Sequence, residues 1–146
     1  MLSKLPNKLA KKSNSTSALD GIACDLSVFA RSQELQEKAA KVGFEWSSAL
    51  DILDKLEEEI QEMREAIANK DKENQAEELG DILFLLANYG RNLGINSEEA
   101  LHQCNNKFER RFRGLEADLK KQGTPIEKAS LSEMQYGWNV QKAKEK

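Results

Sequence analysis

The 146-residue sequence predicts an all-α protein, and three observations support that fold class. Apolar residues recur at steps of three and four through most of the chain, as they do on one face of an α-helix. Only 2 prolines and 8 glycines are available to interrupt these runs. The sequence shows neither the apolar–polar alternation of strands nor an internal repeat. We therefore predict a bundle of four to five helices with one hydrophobic core.

The chain begins with a segment of different character from the rest. Residues 1–25 are polar and rich in serine and asparagine, and we predict a flexible N-terminal arm there. The helical domain is predicted for residues 26–146. Its first helix carries apolar positions such as Phe29 and Leu35 and ends near Gly43.

The second and third helices have opposite apolar patterns. The second has one narrow apolar stripe from Ile52 to Ile67, and Ser47 or Ser48 is its predicted N-cap. The third helix, over residues 74–92, is apolar on nearly every side. A helix of that kind lies at the centre of a bundle or in a subunit interface, so we predict at least a dimer.

Two further helices complete the predicted bundle. The segment LGINSEEAL contains a glycine stop followed by Ser97, the predicted N-cap of a fourth helix. This helix continues until Gly123 and Pro125 end it. A last helix follows Ser132 and passes through Trp138 into a charged tail.

Composition and charge argue against several classes of function. The net charge of −3 arises from many charges of both signs, which argues against a dedicated nucleic-acid surface. No apolar run is long enough to span a membrane, and no hydrophobic stretch follows the N-terminal lysines as in a signal peptide. Cys24 and Cys104 are isolated from each other and from other ligands, as reduced structural thiols are. We expect a soluble cytoplasmic protein without a nucleic-acid or membrane partner.

Carboxylates occupy matching positions on the second and third helices. Glu59 and Glu62 are three residues apart, which places them about 60° apart on one flank of the apolar stripe. Glu78 and Asp81 have the same separation at the head of the apolar third helix. Because the connecting loop is short, we expect the helices to pack antiparallel with these pairs facing each other and without basic partners. Oxygen ligands suit Mg²⁺, with Mn²⁺ as a substitute, and Mg²⁺ held by carboxylates commonly receives phosphate oxygens.

The fourth and fifth helices carry cations at helical spacing. Lys107 and Arg111 lie four residues apart, where they can clamp successive phosphates. A solvated basic stripe explains that spacing equally well. Trp138 and Lys142 repeat the spacing on the last helix, although a tryptophan there is more often a core residue than a platform for a base.

Five blocks of this sequence resemble one known family. EEIQE at 58–62 and ELGD at 78–81 have the form EExxE…ExxD, which is the metal-binding signature of the all-α nucleoside triphosphate pyrophosphohydrolases. The blocks together closely resemble the catalytic C-terminal domain of the MazG proteins, and the resemblance covers roughly residues 28–144. The blocks that carry it are KVGFEW, DKLEEEIQE, AEELGDILFLLANYGRNLG, NNKFERRF and WNVQK.

The resemblance implies a reaction, a site and an assembly. The reaction is Mg²⁺-dependent hydrolysis of a nucleoside triphosphate to a monophosphate and pyrophosphate, as nucleotide-pool house-cleaning, by a dimer of interlocked helices. The implied metal ligands are Glu59, Glu62, Glu78 and Asp81. The implied substrate contacts are Lys55, Glu58, Asn74, Glu77, Lys107, Arg111, Trp138 and Lys142. Either Glu58 or Glu59 takes the proton of the attacking water.

The chain departs from the family at two points. Asn74 stands where the family has a lysine, so one phosphate contact of the family is missing. A usual MazG chain has two such domains, and this sequence has room for one.

Two other functions compete with the enzyme. A non-catalytic MazG-like module that senses a nucleotide or binds a partner would keep the fold, but the complete acidic set argues for catalysis. A ferritin-like metal-oxidising bundle would need more than the single histidine, His102.

Overall fold

The computed structural model describes residues 16–146, and their regular secondary structure is entirely helical. The elements in chain order are α1 (Val28–Lys41), α2 (Ala49–Ala68), α3 (Lys72–Asn92), α4 (Ser97–Lys121), a short 3₁₀ turn (Ile126–Lys128) and α5 (Leu131–Lys144). The predicted all-α class is therefore confirmed for this part of the chain. Residues 1–15, which make up most of the predicted arm, lie outside the described residues, and the domain boundary stays a prediction.

The start of α2 is the one predicted, whereas α4 has a different cap. The Ser48 hydroxyl accepts a hydrogen bond from the Asp51 amide at 3.2 Å, so the second of the two candidate serines is the N-cap. The prediction that Ser97 caps α4 is wrong. The Asn96 side chain accepts the Glu99 amide at 3.0 Å, and Ser97 is already the first helical residue.

The start of α5 also differs from the prediction. Ser130 is the N-cap, and Ser132 lies inside the helix. The Ser130 hydroxyl accepts the Glu133 amide at 3.2 Å, while the Glu133 carboxylate accepts the Ser130 amide at 2.7 Å. This reciprocal capping box satisfies two amides that the first turn leaves without helical partners, and it begins the helix two residues early.

The described chain divides into two compact units. The first ends at Tyr89 and contains α1, α2 and most of α3, while the second covers Gly90–Lys146 and contains α4 and α5. Throughout residues 16–146, each helix is too short or too polar to cross a bilayer.

Side-chain amides tie the helices of the first unit together. Gln36 of α1 donates to the Phe84 carbonyl of α3 at 2.8 Å. Gln75 of α3 donates to the Ala66 carbonyl near the end of α2 at 3.1 Å. These bonds connect both α1 and α2 to α3, which therefore organises the unit.

The apolar surface of α3 is only partly covered. Leu85 and Ala87 are buried, but Leu83, Phe84 and Leu86 remain 40–44% exposed. This exposure favours the second alternative from the sequence, a subunit interface, over a helix at the centre of a bundle. The interface itself stays a prediction.

In the second unit, α4 and α5 approach closely through two glycines. Gly114 of α4 lies against the Gln141 side chain of α5, and Gly137 of α5 lies against the Leu115 side chain of α4. Leu115 is among the most buried side chains of the described residues. A β-carbon at either glycine would overlap the side chain that faces it.

Substituting Gly137 tests this close packing. Gly137→Ala is expected to lower the free energy of unfolding, because overpacking costs about 1–3 kcal/mol and exceeds the helix-propensity gain of about 1 kcal/mol. In a Leu115→Ala background the obstacle is gone, so the same change should be neutral or stabilising. Urea unfolding of the four proteins measures both differences. An equal penalty in both backgrounds would show that Leu115 is not the obstacle.

Candidate active site

Three carboxylates from α2 and α3 meet in the first unit. Oxygens of Glu59, Glu78 and Asp81 lie within 4.8 Å of one another. Glu59 and Glu78 are only 6% and 7% exposed, whereas Asp81 is exposed. The structure therefore brings together three of the four side chains that the sequence singled out as metal ligands.

The fourth predicted ligand, Glu62, lies near this cluster without joining it. Its charge is one of those that raise the pKa of Glu78, so its carboxylate is close to that side chain. It is half-buried, and it is not among the three residues whose oxygens lie within 4.8 Å.

Glu78 has the least favourable surroundings of the cluster. Burial is the main cause that raises the pKa of its carboxyl group, followed by a hydrogen bond with Glu59 and by the charges of Glu62, Glu59 and Asp81. Its Oε2 is buried and has no hydrogen-bond partner among the described residues. A buried carboxylate oxygen without a donor is suited to ligating a cation. The all-oxygen donor set fits a hard divalent ion such as Mg²⁺.

One cation of the chain already contacts the cluster. Lys55 Nζ lies 2.8 Å from Glu59 Oε1 and 3.1 Å from Glu58 Oε2. Hydrogen bonds with Glu59 and then Glu58 raise the pKa of Lys55, so the lysine stays charged at neutral pH. The expectation that the carboxylates lack a basic partner is therefore wrong. The i,i+4 spacing of Lys55 and Glu59 was the available signal for this pair.

Besides Lys55 and Glu58, two predicted substrate contacts of the first unit lie near the start of α3. Asn74 is half-buried, and its backbone amide donates to Asp71 Oδ1 at 3.1 Å. Glu77 is exposed and directly precedes the buried Glu78. Their role toward a substrate stays a prediction.

In the second unit, α4 and α5 bring predicted substrate contacts together. The guanidinium carbon of Arg111 lies 5.8 Å from the centroid of the Trp138 ring, within the range of a cation–π contact. The Phe108 ring packs against Trp138 with centroids 5.2 Å apart. Trp138 is half-buried, while Lys107 and Lys142 are exposed.

No sequence pattern pointed to Glu145, which contacts Arg111 directly. Its Oε2 accepts hydrogen bonds from Arg111 Nε at 2.8 Å and Nη2 at 2.5 Å. Glu145 is 34 residues away in a charged tail, so no local spacing pairs it with α4. Only the packing of α5 on α4 reveals the contact.

Comparison with known proteins finds one matching domain family. Residues 47–114 match the MazG nucleotide pyrophosphohydrolase domain. The family resemblance predicted from the sequence is therefore confirmed. The match includes the four predicted metal ligands and both Lys107 and Arg111, while Trp138 and Lys142 lie beyond it.

Curated relatives extend the similarity over most of the chain. It is 38% identical over 133 residues to the Nucleoside triphosphate pyrophosphohydrolase of Escherichia coli strain K12, an alignment that covers 88% of this chain and 50% of the relative. It is 34% identical over 139 residues to the Nucleoside triphosphate pyrophosphohydrolase/pyrophosphatase MazG of Thermotoga maritima, covering 95% of this chain and 52% of the relative. The chain thus spans about half the length of these two relatives.

The pH dependence of the metal-free protein tests the environment of Glu78. Because its folded-state pKa is raised, the folded state holds more protons than the unfolded state between the ordinary value of 4.5 and the raised value. Stability should therefore fall as the pH rises through that window. Glu78→Gln should remove this part of the dependence and melt higher than wild type at neutral pH, as measured by thermal unfolding in a chelator.

A matched change separates this effect from a general loss of charge. Glu57→Gln alters an exposed side chain on α2 and should leave the pH dependence unchanged. If Glu78→Gln instead melts well below Glu57→Gln at neutral pH without metal, Glu78 has a stabilising partner, and the proposed cation site is wrong.

Proposed function

We propose that this protein hydrolyses nucleoside triphosphates to nucleoside monophosphates and pyrophosphate, with Mg²⁺ at Glu59, Glu78 and Asp81 and with Glu62 beside them. The observation that carries this proposal is the convergence of three carboxylates, two of them buried, within 4.8 Å in a MazG domain. The two relatives are named for the same reaction. Because the chain spans about half the length of these relatives, the proposal rests on the chemistry of the site. The relatives' names support it.

Each residue of the cluster has a distinct task in this proposal. Mg²⁺ held by these carboxylates would supply positive charge that offsets the negative charge of the phosphates and of the departing pyrophosphate. Glu59 is oriented because Lys55 holds its Oε1 at 2.8 Å. Glu78 offers the buried Oε2 that has no donor among the described residues. Asp81 is the exposed member and faces the solvent from which substrate arrives.

Of the two candidate bases, Glu58 is the one that we propose accepts the proton of the attacking water. Its side chain is 58% exposed, compared with 8% for Glu59, so water reaches it readily. Lys55 holds Glu58 Oε2 at 3.1 Å and leaves Oε1 for the water. Glu59 then acts as a metal ligand and not as the base.

The second unit contains cationic and aromatic side chains that suit a nucleotide. We propose that Lys107 and Arg111 bind phosphate oxygens and that Trp138 stacks on the base, with Lys142 as a further cationic contact. The cation–π contact of Arg111 with Trp138 supports this proposal, because it brings the two side chains together within this unit. A house-cleaning role in the nucleotide pool follows from the reaction, and we propose it as the physiological use.

The identity of the first product tests the reaction. Wild-type protein incubated with each nucleoside triphosphate and Mg²⁺ should release pyrophosphate before orthophosphate. Asp81→Asn should lower turnover at least about 100-fold, since it removes a ligand charge. The metal-free fold should be no less stable, because losing one clustered charge relieves repulsion. Asp25→Asn, an exposed change outside the matched domain, is the control that should retain activity.

Each unfavourable result has a specific meaning. Orthophosphate as the first product would contradict cleavage between the α- and β-phosphates. Triphosphate binding without turnover would favour the nucleotide-sensing module over the enzyme.

We also propose that the protein is a homodimer formed through α3. Sedimentation at micromolar concentration should give twice the chain mass of 16.5 kDa. Leu83→Glu should shift the species toward the monomer, because it places a charge on an exposed apolar position of α3. Leu131→Glu makes the same chemical change on α5 and should not alter the mass. A wild-type species of 16.5 kDa would contradict the dimer.

A further inference from the structure

The carboxylate of Glu145, at the end of α5, binds two adjacent arginines of α4. Its Oε2 accepts from Arg111 Nε at 2.8 Å and from Nη2 at 2.5 Å. Its Oε1 accepts from Arg110 Nε at 2.9 Å and lies 2.7 Å from Arg110 Nη2. Each carboxylate oxygen therefore receives one edge of one guanidinium.

The two arginines differ in how exposed their side chains are. The Arg110 side chain is 61% exposed, whereas that of Arg111 is only 16% exposed. Arg111 is confined by the Trp138 ring as well as by Glu145. A side chain with many rotamers is thus held in one place before a ligand arrives, and such preorganisation reduces the entropy lost on binding.

Arg111 can donate hydrogen bonds to a further acceptor while it contacts Glu145. A guanidinium carries five N–H donors in a planar fork, and this fork matches the oxygens of phosphates as well as those of carboxylates. Glu145 engages Nε and Nη2 and leaves the donors of Nη1 to other acceptors.

Local helix energetics do not explain a glutamate at this position. Glu145 is the C-cap of α5, where the helix dipole disfavours a negative charge. The hydrogen bond with Arg111, followed by that with Arg110, lowers the pKa of Glu145 and keeps the carboxylate ionised at neutral pH. The arginines therefore offset a charge that the helix end alone would not favour.

We propose that Glu145 is a positioning residue for triphosphate binding, which holds Arg111 by its Nε edge and presents the Nη1 side to a phosphate group. This inference rests on the proposed function, in which Arg111 contacts the phosphates. The opposite role, a carboxylate that competes with phosphate for Arg111, makes the opposite prediction. Removing a competitor would tighten triphosphate binding, whereas removing a positioning residue weakens it.

The test is Glu145→Gln in the full chain, which keeps the size of the side chain and removes its charge. KM for the triphosphate is expected to rise about tenfold, since a small misplacement of a binding group has effects of this order or larger. A binding measurement without turnover uses Trp138 fluorescence in a Trp46→Phe background, where Trp138 is the single tryptophan. Titrating nucleoside triphosphate in a chelator should then give a Kd about tenfold higher for Glu145→Gln.

A neighbouring ion pair provides the matched control. Lys144 Nζ lies 3.0 Å from Asp118 Oδ2, so it also links the end of α5 to α4 without touching either arginine. Lys144→Met should leave KM and Kd unchanged if the effect belongs to Arg111 and not to the attachment of α5. In an Arg111→Met background, Glu145→Gln should cause no further loss of affinity.

The outcomes separate this inference from the function on which it rests. Unchanged or tighter triphosphate binding by Glu145→Gln would overturn it, as would an equal loss in Lys144→Met or a full loss that persists without Arg111. If the wild type hydrolyses triphosphates and Glu145→Gln binds them normally, only the positioning role fails. A wild type that neither binds nor hydrolyses triphosphates would overturn both proposals.

Discussion

Negative charge buried on α2 and α3 is the constraint on which the first unit depends. Glu59 and Glu78 are buried within reach of each other and of Asp81, in surroundings that offer little water to screen them. Lys55 compensates part of this charge by pairing with Glu59 and Glu58. Within residues 16–146, Glu78 Oε2 has no hydrogen-bond partner, and burial raises the pKa of this carboxyl group. A divalent cation would offset the remaining negative charge. The metal proposal therefore follows from the electrostatics of the fold.

Such a cluster requires a scaffold that cannot relax away from it. The charged side chains project from two long helices whose apolar residues are buried nearby, including Ile52 and Ala66 on α2 and Leu85 on α3. The hydrogen bond from Gln75 to the Ala66 carbonyl fixes the two helices near their shared turn. Positions on helices are held more rigidly than positions on loops, so repulsion among the carboxylates is not relieved by local movement.

In the second unit the neighbouring like charges are positive, and a carboxylate from another helix compensates them. Two arginines adjacent in sequence would repel each other, and Glu145 binds both from the end of α5. The close approach of α4 and α5 through Gly114 and Gly137 brings α5 near enough for these contacts. Packing at the glycines and pairing at Glu145 therefore support one another.

Features with a local physical origin were predictable from the sequence. The helical period is set by residues three and four positions apart, and this was enough for the all-α class and for the i,i+3 carboxylate pairs on α2 and α3. Helix starts were less predictable, because neighbouring polar residues compete as caps. Asn96 and Ser130 prevail over Ser97 and Ser132 because their side chains reach a free amide of the first turn.

Tertiary structure decided which of the predicted side chains meet. Spacing alone treated Glu62 as equivalent to Glu59, but the packing of α3 on α2 places only Glu59 with Glu78 and Asp81. The contact of Glu145 with Arg111 joins residues 34 positions apart, and no local pattern encodes it. Burial and long-range ion pairing depend on how whole helices pack. Helical periodicity depends only on residues three and four positions apart in the sequence. The sequence by itself therefore determined the helices and the candidate ligands, and the fold determined their partners.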